Sequence, residues 1–475
     1  DKVWWSDPQT GEEGWITEGY ATIGFECNPE WILDPPADAA VYDSLFMSNF
    51  MFQELISLGY ELLYPYGVIM AGEFKLPAGV TFAQAAASLL SEYPEVAFVD
   101  PWGFKEPTGD YYPSDPWFYP GSGPEEGLYQ WYFKNWDYPY DVNAPGGWGI
   151  NWGDPDIVVA VLDTGVHRET PDLPSARLTE WGWSIRGDFP PEDISDYFQE
   201  NGGTPVGPPY VFPPRQKWDH GTKVASLIDA WTNNNFRMAG GTFCGRVFPA
   251  ALQDLTTEDP PWGPDMPDPF ITLALYWLTD QVGLVSVPGM DEYPHYNIKV
   301  VNMSMGGTTH THCQALFMWL LSWRVVLVVS AGNDGSSYMY PAASERFLSD
   351  WFKVWRQDVA LVTAGFTKEG QRYGSYYDPE IHIYNWVDVS APAHQILVLQ
   401  PNSETGYSVA SGTSCAAPIT SALAALMFAE HPYLSSWNIH DAIKTFTRND
   451  PPLQDDRIPE RIDYELALSL GMGNP

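Results

Sequence analysis

At 475 residues and 44% hydrophobic content, the chain is long enough for two or three domains and apolar enough to fill a core. Its formal net charge of −38, from 61 Asp and Glu against 23 Lys and Arg, argues for no nucleic-acid partner, since phosphate binding draws its affinity from basic side chains. No membrane span is expected either: the most apolar stretch, Ala315 to Ala331, is interrupted by Arg324 and is too short, and reads as a helix followed by a buried strand.

The first 107 residues hold three Lys or Arg against seventeen Asp or Glu, so the acidity is spread along the chain and is no tail. Self-repulsion of this size is relieved by salt, bound cations or low pH, and a salty or calcium-rich habitat and an acidic one both stay open. Gly19 to Cys27 reads as a strand, Ala39 to Leu58 as a helix, and Gly59 to Pro65 with Gly67 to Leu76 as two strands around a tight turn. Phe82 to Glu92 is an Ala-rich helix and Val96 to Asp100 a last short strand. The resulting order, β-α-β-β-α-β, is the split ferredoxin-like motif.

A turn-rich linker, Pro107 to Tyr112, leads to a long irregular stretch. From 155 onward, strand-like runs (157 to 162, 245 to 251, 297 to 303, 325 to 330, 359 to 365) alternate with helical ones (222 to 231, 270 to 282, 313 to 323). That alternation predicts a parallel β-sheet flanked by helices. The segment 183 to 217 is rich in Pro, Gly and acid, and its part from Asp196 to Lys217 reads as an insertion. The chain closes on a short helix after Arg461-Ile462-Asp463-Tyr464, with no large C-terminal module expected.

Three short strings within this pattern carry chemistry. Val158 to Leu162 is a buried strand that delivers Asp163 at its tip; Asp219-His220-Gly221-Thr222 places His220 at a helix start; Gly412-Thr413-Ser414-Cys415 opens a long apolar helix with Ser414 near its electropositive N-terminus. They supply an acid, a base and a nucleophile. Taken singly, each residue has a bland reading as a strand cap, a core histidine or a helix N-cap. Taken together in order, they do not.

These strings resemble those of the subtilisin-like serine peptidases, and the likeness extends to Val301-Asn302-Met303-Ser304-Met305-Gly306-Gly307, to Val328-Val329-Ser330-Ala331-Gly332-Asn333-Asp334-Gly335 and to Val387-Asp388-Val389-Ser390-Ala391-Pro392. The resemblance implies a two-part chain: residues 1–107 as an inhibitory propeptide and intramolecular chaperone, and 108–475 as an α/β peptidase domain with a subtilisin-like parallel sheet. It implies peptide hydrolysis by Asp163, His220 and Ser414, with the Asn333 amide stabilising the oxyanion. Ser304, Met305 and Gly306 then form one edge of the substrate cleft, Ser330, Ala331 and Gly332 the far wall of a roomy, mostly apolar pocket, and the opposite edge falls within Thr256 to Asp268. The expected partners are polypeptide substrates and the chain's own propeptide, on a secreted monomer whose signal segment is already gone.

No catalytic cofactor is implied, but structural calcium is: Asp115, Asp172 and Asn234 match ligand positions in relatives, and oxygen donors from separate loops suit that ion. Asp188, Glu192 and Asp193 are a weaker second set, while His310 and His312 read as a polar loop. The four cysteines, at 27, 244, 313 and 415, show no metal spacing; an exported chain allows a bridge between Cys244 and Cys313. Lys223 stands where the family commonly has a second His, Ser226 where it has Gly, and Cys415 where it has Met. These departures motivate a rival reading, a peptide-binding module without strong catalysis. An esterase of the α/β-hydrolase type is a lesser rival, since Gly412-Thr413-Ser414-Cys415-Ala416 lacks the closing Gly of that family's nucleophile turn.

Overall fold

The computed structural model describes residues 2–6, 13–25, 50–66, 71–103, 110–167, 170–180, 182–184, 204–206, 219–252, 266–286, 294–307, 309, 311–333, 340–344, 359–373, 387–401, 403, 405–454 and 459–470. The chain divides into two compact units, Asp1–Glu106 and Pro107–Pro475.

In the first unit, strands β1 (Lys2–Ser6), β2 (Glu13–Phe25), β3 (Glu61–Tyr66), β4 (Ala71–Lys75) and β5 (Val96–Gly103) accompany helices α1 (Phe50–Ser57) and α2 (Phe82–Glu92). The antiparallel order β5-β2-β4-β3 is that of a split β-α-β motif. Sequence reading starts the long strand at Gly19, but β1 pairs with Glu13 to Thr17 and so extends β2 backwards through Trp15, Ile16 and Thr17, residue types common in strands. A capping box at Thr81 and Gln84 starts α2, which buries Phe82, Ala85 and Leu89 against Phe52, Leu55 and Phe74.

The second unit is built on one large sheet. Its strands are β6 (Val158–Asp163), β7 (Gly182–Ser184), β8 (Thr204–Val206), β9 (Arg246–Ala251), β10 (Ile298–Met303), β11 (Val326–Ser330), β12 (Leu361–Phe366), β13 (Arg372–Tyr373), β14 (Val389–Pro392), β17 (Thr447–Arg448) and β18 (Arg461–Ile462), while β15 (Ile396–Leu399) and β16 (Tyr407–Ala410) form a separate hairpin. Helices α3 (Ala144–Ile150), α4 (His220–Asp229), α5 (Asp268–Gln281), α6 (His312–Leu321), α7 (Thr413–Glu430), α8 (Ser436–Thr445) and α9 (Tyr464–Leu468) complete it. The parallel core runs β7-β9-β6-β10-β11-β12-β14.

Strand β6 is apolar at nearly every position because both faces are covered, as a parallel sheet requires. Alternate residues serve different layers: Val159 and Val161 pack with α4 and α7, whereas Val158, Ala160 and Leu162 pack with α5 and α6. Helix α7 has the length and mean hydropathy of a membrane span, but 83% of it is buried inside the unit, as expected of a core helix.

Cys244 and Cys313 are both free, one half-buried and the other exposed, so no bridge joins them; Cys415 is free and buried, and Cys27 lies outside the described residues. Within the stretch read as an insertion, Thr204–Val206 pairs antiparallel with β7 and so adds a strand at the sheet edge. The set Asp188, Glu192 and Asp193 lies outside the described residues, as does His310, while His312 opens α6.

Candidate functional site

The sheet itself decides where chemistry can gather. Strand β6 lies between β9 and β10, and the chain first builds the sheet to one side of β6 and later to the other. Such a reversal opens a crevice at the carboxyl ends of the strands, where Asp163 ends β6 and Ser304 follows β10.

Asp163 is fully buried and accepts from the Thr164 amide at 2.7 Å. Nδ1 of His220 stands 2.8 and 2.9 Å from its two carboxylate oxygens. This close approach depends on Gly221: a Cβ there would lie 2.4 Å from the Gly165 carbonyl oxygen and 3.1 Å from Asp163 Cβ. The Gly221 amide also donates to Thr164 Oγ1 at 3.0 Å, tying the start of α4 to the strand tip. Burial disfavours the imidazolium, but the charge and hydrogen bond of Asp163 outweigh it, with Lys223 opposing and Asp219 assisting, so the His220 pKa is raised. The opposing pair are bonded to each other, Lys223 Nζ to Asp219 Oδ1 at 2.8 Å.

Ser414 is the second residue of α7. Pro418, four residues on, has no N–H to offer the Ser414 carbonyl. Gly412 before it has φ of 151°, a conformation that favours glycine, and a Cβ there would fall 3.1 Å from Ser414 Oγ and 3.2 Å from Asn333 Nδ2. Both polar groups therefore flank one small opening. Asn333 is oriented through its other side: Oδ1 accepts the Thr413 amide at 2.8 Å and the Thr413 hydroxyl at 3.2 Å, leaving Nδ2 to donate. Thr413 Oγ1 in turn accepts from the Gly332 amide at 3.0 Å. Among the described residues no hydrogen bond joins Ser414 to His220, a contact that is often long in free enzymes and tightens with substrate. Cys415, beside the serine, is buried and its pKa is pushed up to about 12, which keeps it an inert thiol.

A cavity of about 480 Å³ opens beside His220, lined by Ser304, Met305, Gly306 and Gly307 on one side and by Met266, Pro267, Asp268 and Ile271 on another. Thr164, Asp219, Thr309, Gln314, Tyr340 and Pro341 complete it, so its wall is mixed rather than mostly apolar. Ser330, Ala331 and Gly332 are not among the lining residues; Ser330 Oγ donates to the Met305 carbonyl at 3.1 Å and braces that wall. Reciprocal backbone bonds of 2.9 Å between Gly307 and Tyr340 hold another.

Residues 154–461 match the subtilase family. The chain belongs to that family. It is 28% identical over 342 residues to the halolysin-like extracellular serine protease Nep of Natrialba magadii, covering 71% of this chain and 52% of that protein. It is also 28% identical over 298 residues to the halolysin of Haloferax mediterranei, covering 62% of this chain and 45% of that one. This subtilase thus spans about half the length of these curated relatives. A solved protease from Pseudoalteromonas arctica superposes with a TM-score of 0.56 at 23% identity, over 76% of this chain and 99% of that one, a likeness of fold.

Away from the crevice, the three residues singled out for calcium converge. The buried Asp115 accepts the Asn234 amide at 3.3 Å, and Asn234 Nδ2 donates to Asp172 Oδ1 at 2.7 Å. Burial pushes the Asp172 pKa up to about 7 against its N–H donors, and the charge of Asp115 adds to the rise. Asp172, Asn233 and Asn235 adopt left-handed backbone conformations to bring these groups together. Two carboxylates and an amide oxygen suit a hard cation, although among the described residues no cluster of three His, Cys, Asp or Glu side chains occurs.

Sequence reading passed over Thr413, although it stands inside the quoted serine string, and over Asp219, Asp268 and Gln314 in the cavity wall. Asp268 closes the segment expected to form the opposite cleft edge. Gln314 carried no signal, because only packing brings α6 to that wall.

Proposed function

We propose that this subtilase is a secreted serine endopeptidase, with residues 1–107 as its propeptide. The observation that carries the reading is the Asp163–His220 pair at the sheet's switch point, with Ser414 Oγ and Asn333 Nδ2 flanking Gly412. Ser414 Oγ attacks the scissile carbonyl carbon as His220 Nε2 takes its proton; Asp163 fixes the tautomer at Nδ1 and stabilises the imidazolium. The oxyanion is met by Asn333 Nδ2 and the Ser414 amide, in a position favoured by the N-terminus of α7. The imidazolium then protonates the leaving amine, and water repeats the sequence on the acyl-enzyme. Polypeptide substrate lies extended along Ser304 to Gly306 and adds a strand to that edge, and Ser330 to Gly332 support its pocket.

Calcium, where bound, would be held by Asp115, Asp172 and Asn234, and would supply positive charge to two buried carboxylates. The folded N-terminal unit, tethered by the segment after Gly103, would act as an inhibitor at high effective concentration and be removed by cleavage between about Gly103 and Tyr112. The extracellular relatives support secretion.

A fluorophosphonate probe on the processed protein tests the reading, with covalent label at Ser414 as the expected result. The departures at Lys223, Ser226 and Cys415 motivate the rival, a peptide-binding module of little activity, and an unlabelled protein that still binds peptides would establish it.

A further inference from the structure

The cavity beside His220 holds a negative charge that the reaction does not use. Asp268 begins α5 and lines the cavity half-buried, with Oδ2 accepting from the Thr309 hydroxyl at 2.8 Å and Oδ1 from Gln314 Nε2 at 3.1 Å. Both donors are neutral, and among the described residues no cation stands within ion-pair distance of it. The helix N-terminus behind it supplies only about half a unit of positive charge, so a net negative charge remains.

The second carboxylate of the wall is Asp219. It is buried, Lys223 engages its Oδ1 at 2.8 Å, and Oδ2 has no hydrogen-bond partner. Among the described residues, no Lys or Arg lines the cavity.

General acidity does not account for this arrangement. Asp268 is held in place by two hydrogen bonds inside a concave wall, and Asp219 is largely buried in the same wall. Solvent screens a carboxylate in such a wall less than one on an open surface, so its attraction for a cation is larger there.

We infer that this cavity selects a cationic side chain, lysine or arginine, on the acyl side of the scissile bond. The inference rests on the endopeptidase reading and names its substrate class. An ammonium or guanidinium seated against Asp268 meets an uncompensated charge, whereas a glutamate there meets repulsion, and the Met266, Ile271 and Met305 side chains cover the aliphatic stem. Asp268 is the specificity-determining residue, and Asp219 contributes a spare acceptor.

The test uses processed enzyme and quenched fluorescent peptides bearing lysine, norleucine or glutamate at each of the four positions before the cleaved bond. At one position kcat/KM for lysine exceeds that for norleucine by about ten-fold, equivalent to about 1.4 kcal/mol, with glutamate poorest. In D268N the lysine-to-norleucine ratio falls about five-fold, and in D268K glutamate overtakes lysine. Because ratios are taken within one variant, loss of folded enzyme cancels. Affinities of the same peptides for S414A protein freed of residues 1–107 by an added protease, measured by fluorescence anisotropy, show the same order without turnover.

Equal rates for lysine and norleucine at every position, or a ratio unchanged in D268N, overturns the inference while leaving peptide hydrolysis intact. Failure of every peptide together with absence of fluorophosphonate label on Ser414 removes the endopeptidase reading itself. Peptide binding to S414A that ignores charge then overturns the cationic preference as well.

Discussion

Among the buried carboxylates of the larger unit, two sets are neutralised differently. Asp163 faces an imidazole at 2.8 and 2.9 Å, a partner that acquires positive charge when it takes a proton. Asp115 and Asp172 face mainly N–H donors and each other, with Arg237 contributing charge alone, and the Asp172 pKa rises to about 7. A buried charge is stable only when paired, so the first arrangement is complete by itself and suits the proposed proton transfer, while the second would be completed by a cation. The contrast separates a site that works by titrating from one that works by holding.

The most severe way to break the first half of that comparison is Ser414→Ala, which removes the nucleophile and leaves the Asp163–His220 pair in place. Peptidase turnover falls by about 10⁶-fold, the scale known for subtilisin, a relative. In pure form the variant stays full length on a gel while wild-type protein shortens; equal shortening of both would assign processing to another protease. Asn333→Ala is milder, because one of two oxyanion donors goes while the base and nucleophile stay. Its kcat drops about 10²–10³-fold with KM little changed, again on the subtilisin scale, and a fall confined to KM would contradict the assigned role.

Chelation addresses the second half. At a hundred-fold excess over its Kd, an ion bound only by the folded state adds about 2.7 kcal/mol, so a chelator lowers the Tm by several degrees in calorimetry. Asp172→Asn removes most of that sensitivity; an identical melt with and without chelator would discard the calcium assignment.

The finest probe is the acid limb of kcat/KM, which reports His220 because the base must be neutral. Lys223 lowers the His220 pKa and Asp219 raises it. Lys223→Met therefore moves the limb to higher pH and Asp219→Asn moves it to lower pH. Movement of both in one direction would mean that the ion pair acts through structure and not through charge.

The legibility of this chain varies with the range of the interactions involved. Strand β6 and helices α4 and α7 were readable because an apolar run or a glycine-flanked turn fixes each locally, and Asp163, His220 and Ser414 sit at their ends. Strands β1 and β8 were missed: β1 lies at the chain start and pairs with Glu13 to Thr17, and β8 is a three-residue strand that pairs with β7 at the sheet edge. Ser304, Met305 and Gly306 were legible as one cleft edge from their own string, whereas the cavity beside them also takes Asp219, Asp268 and Gln314 from three other elements that only packing brings there.

The sequence by itself determined the family, the alternation of strand and helix, and the residue types for an acid, a base, a nucleophile and an oxyanion donor, since these depend on neighbours along the chain. Only the tertiary structure decided that Thr413 aims Asn333, that Cys244 and Cys313 stay free, and that an uncompensated Asp268 faces the cavity beside His220. Those outcomes depend on which atoms crossover connections bring within a few ångströms, and the local pattern of residues does not contain that distance.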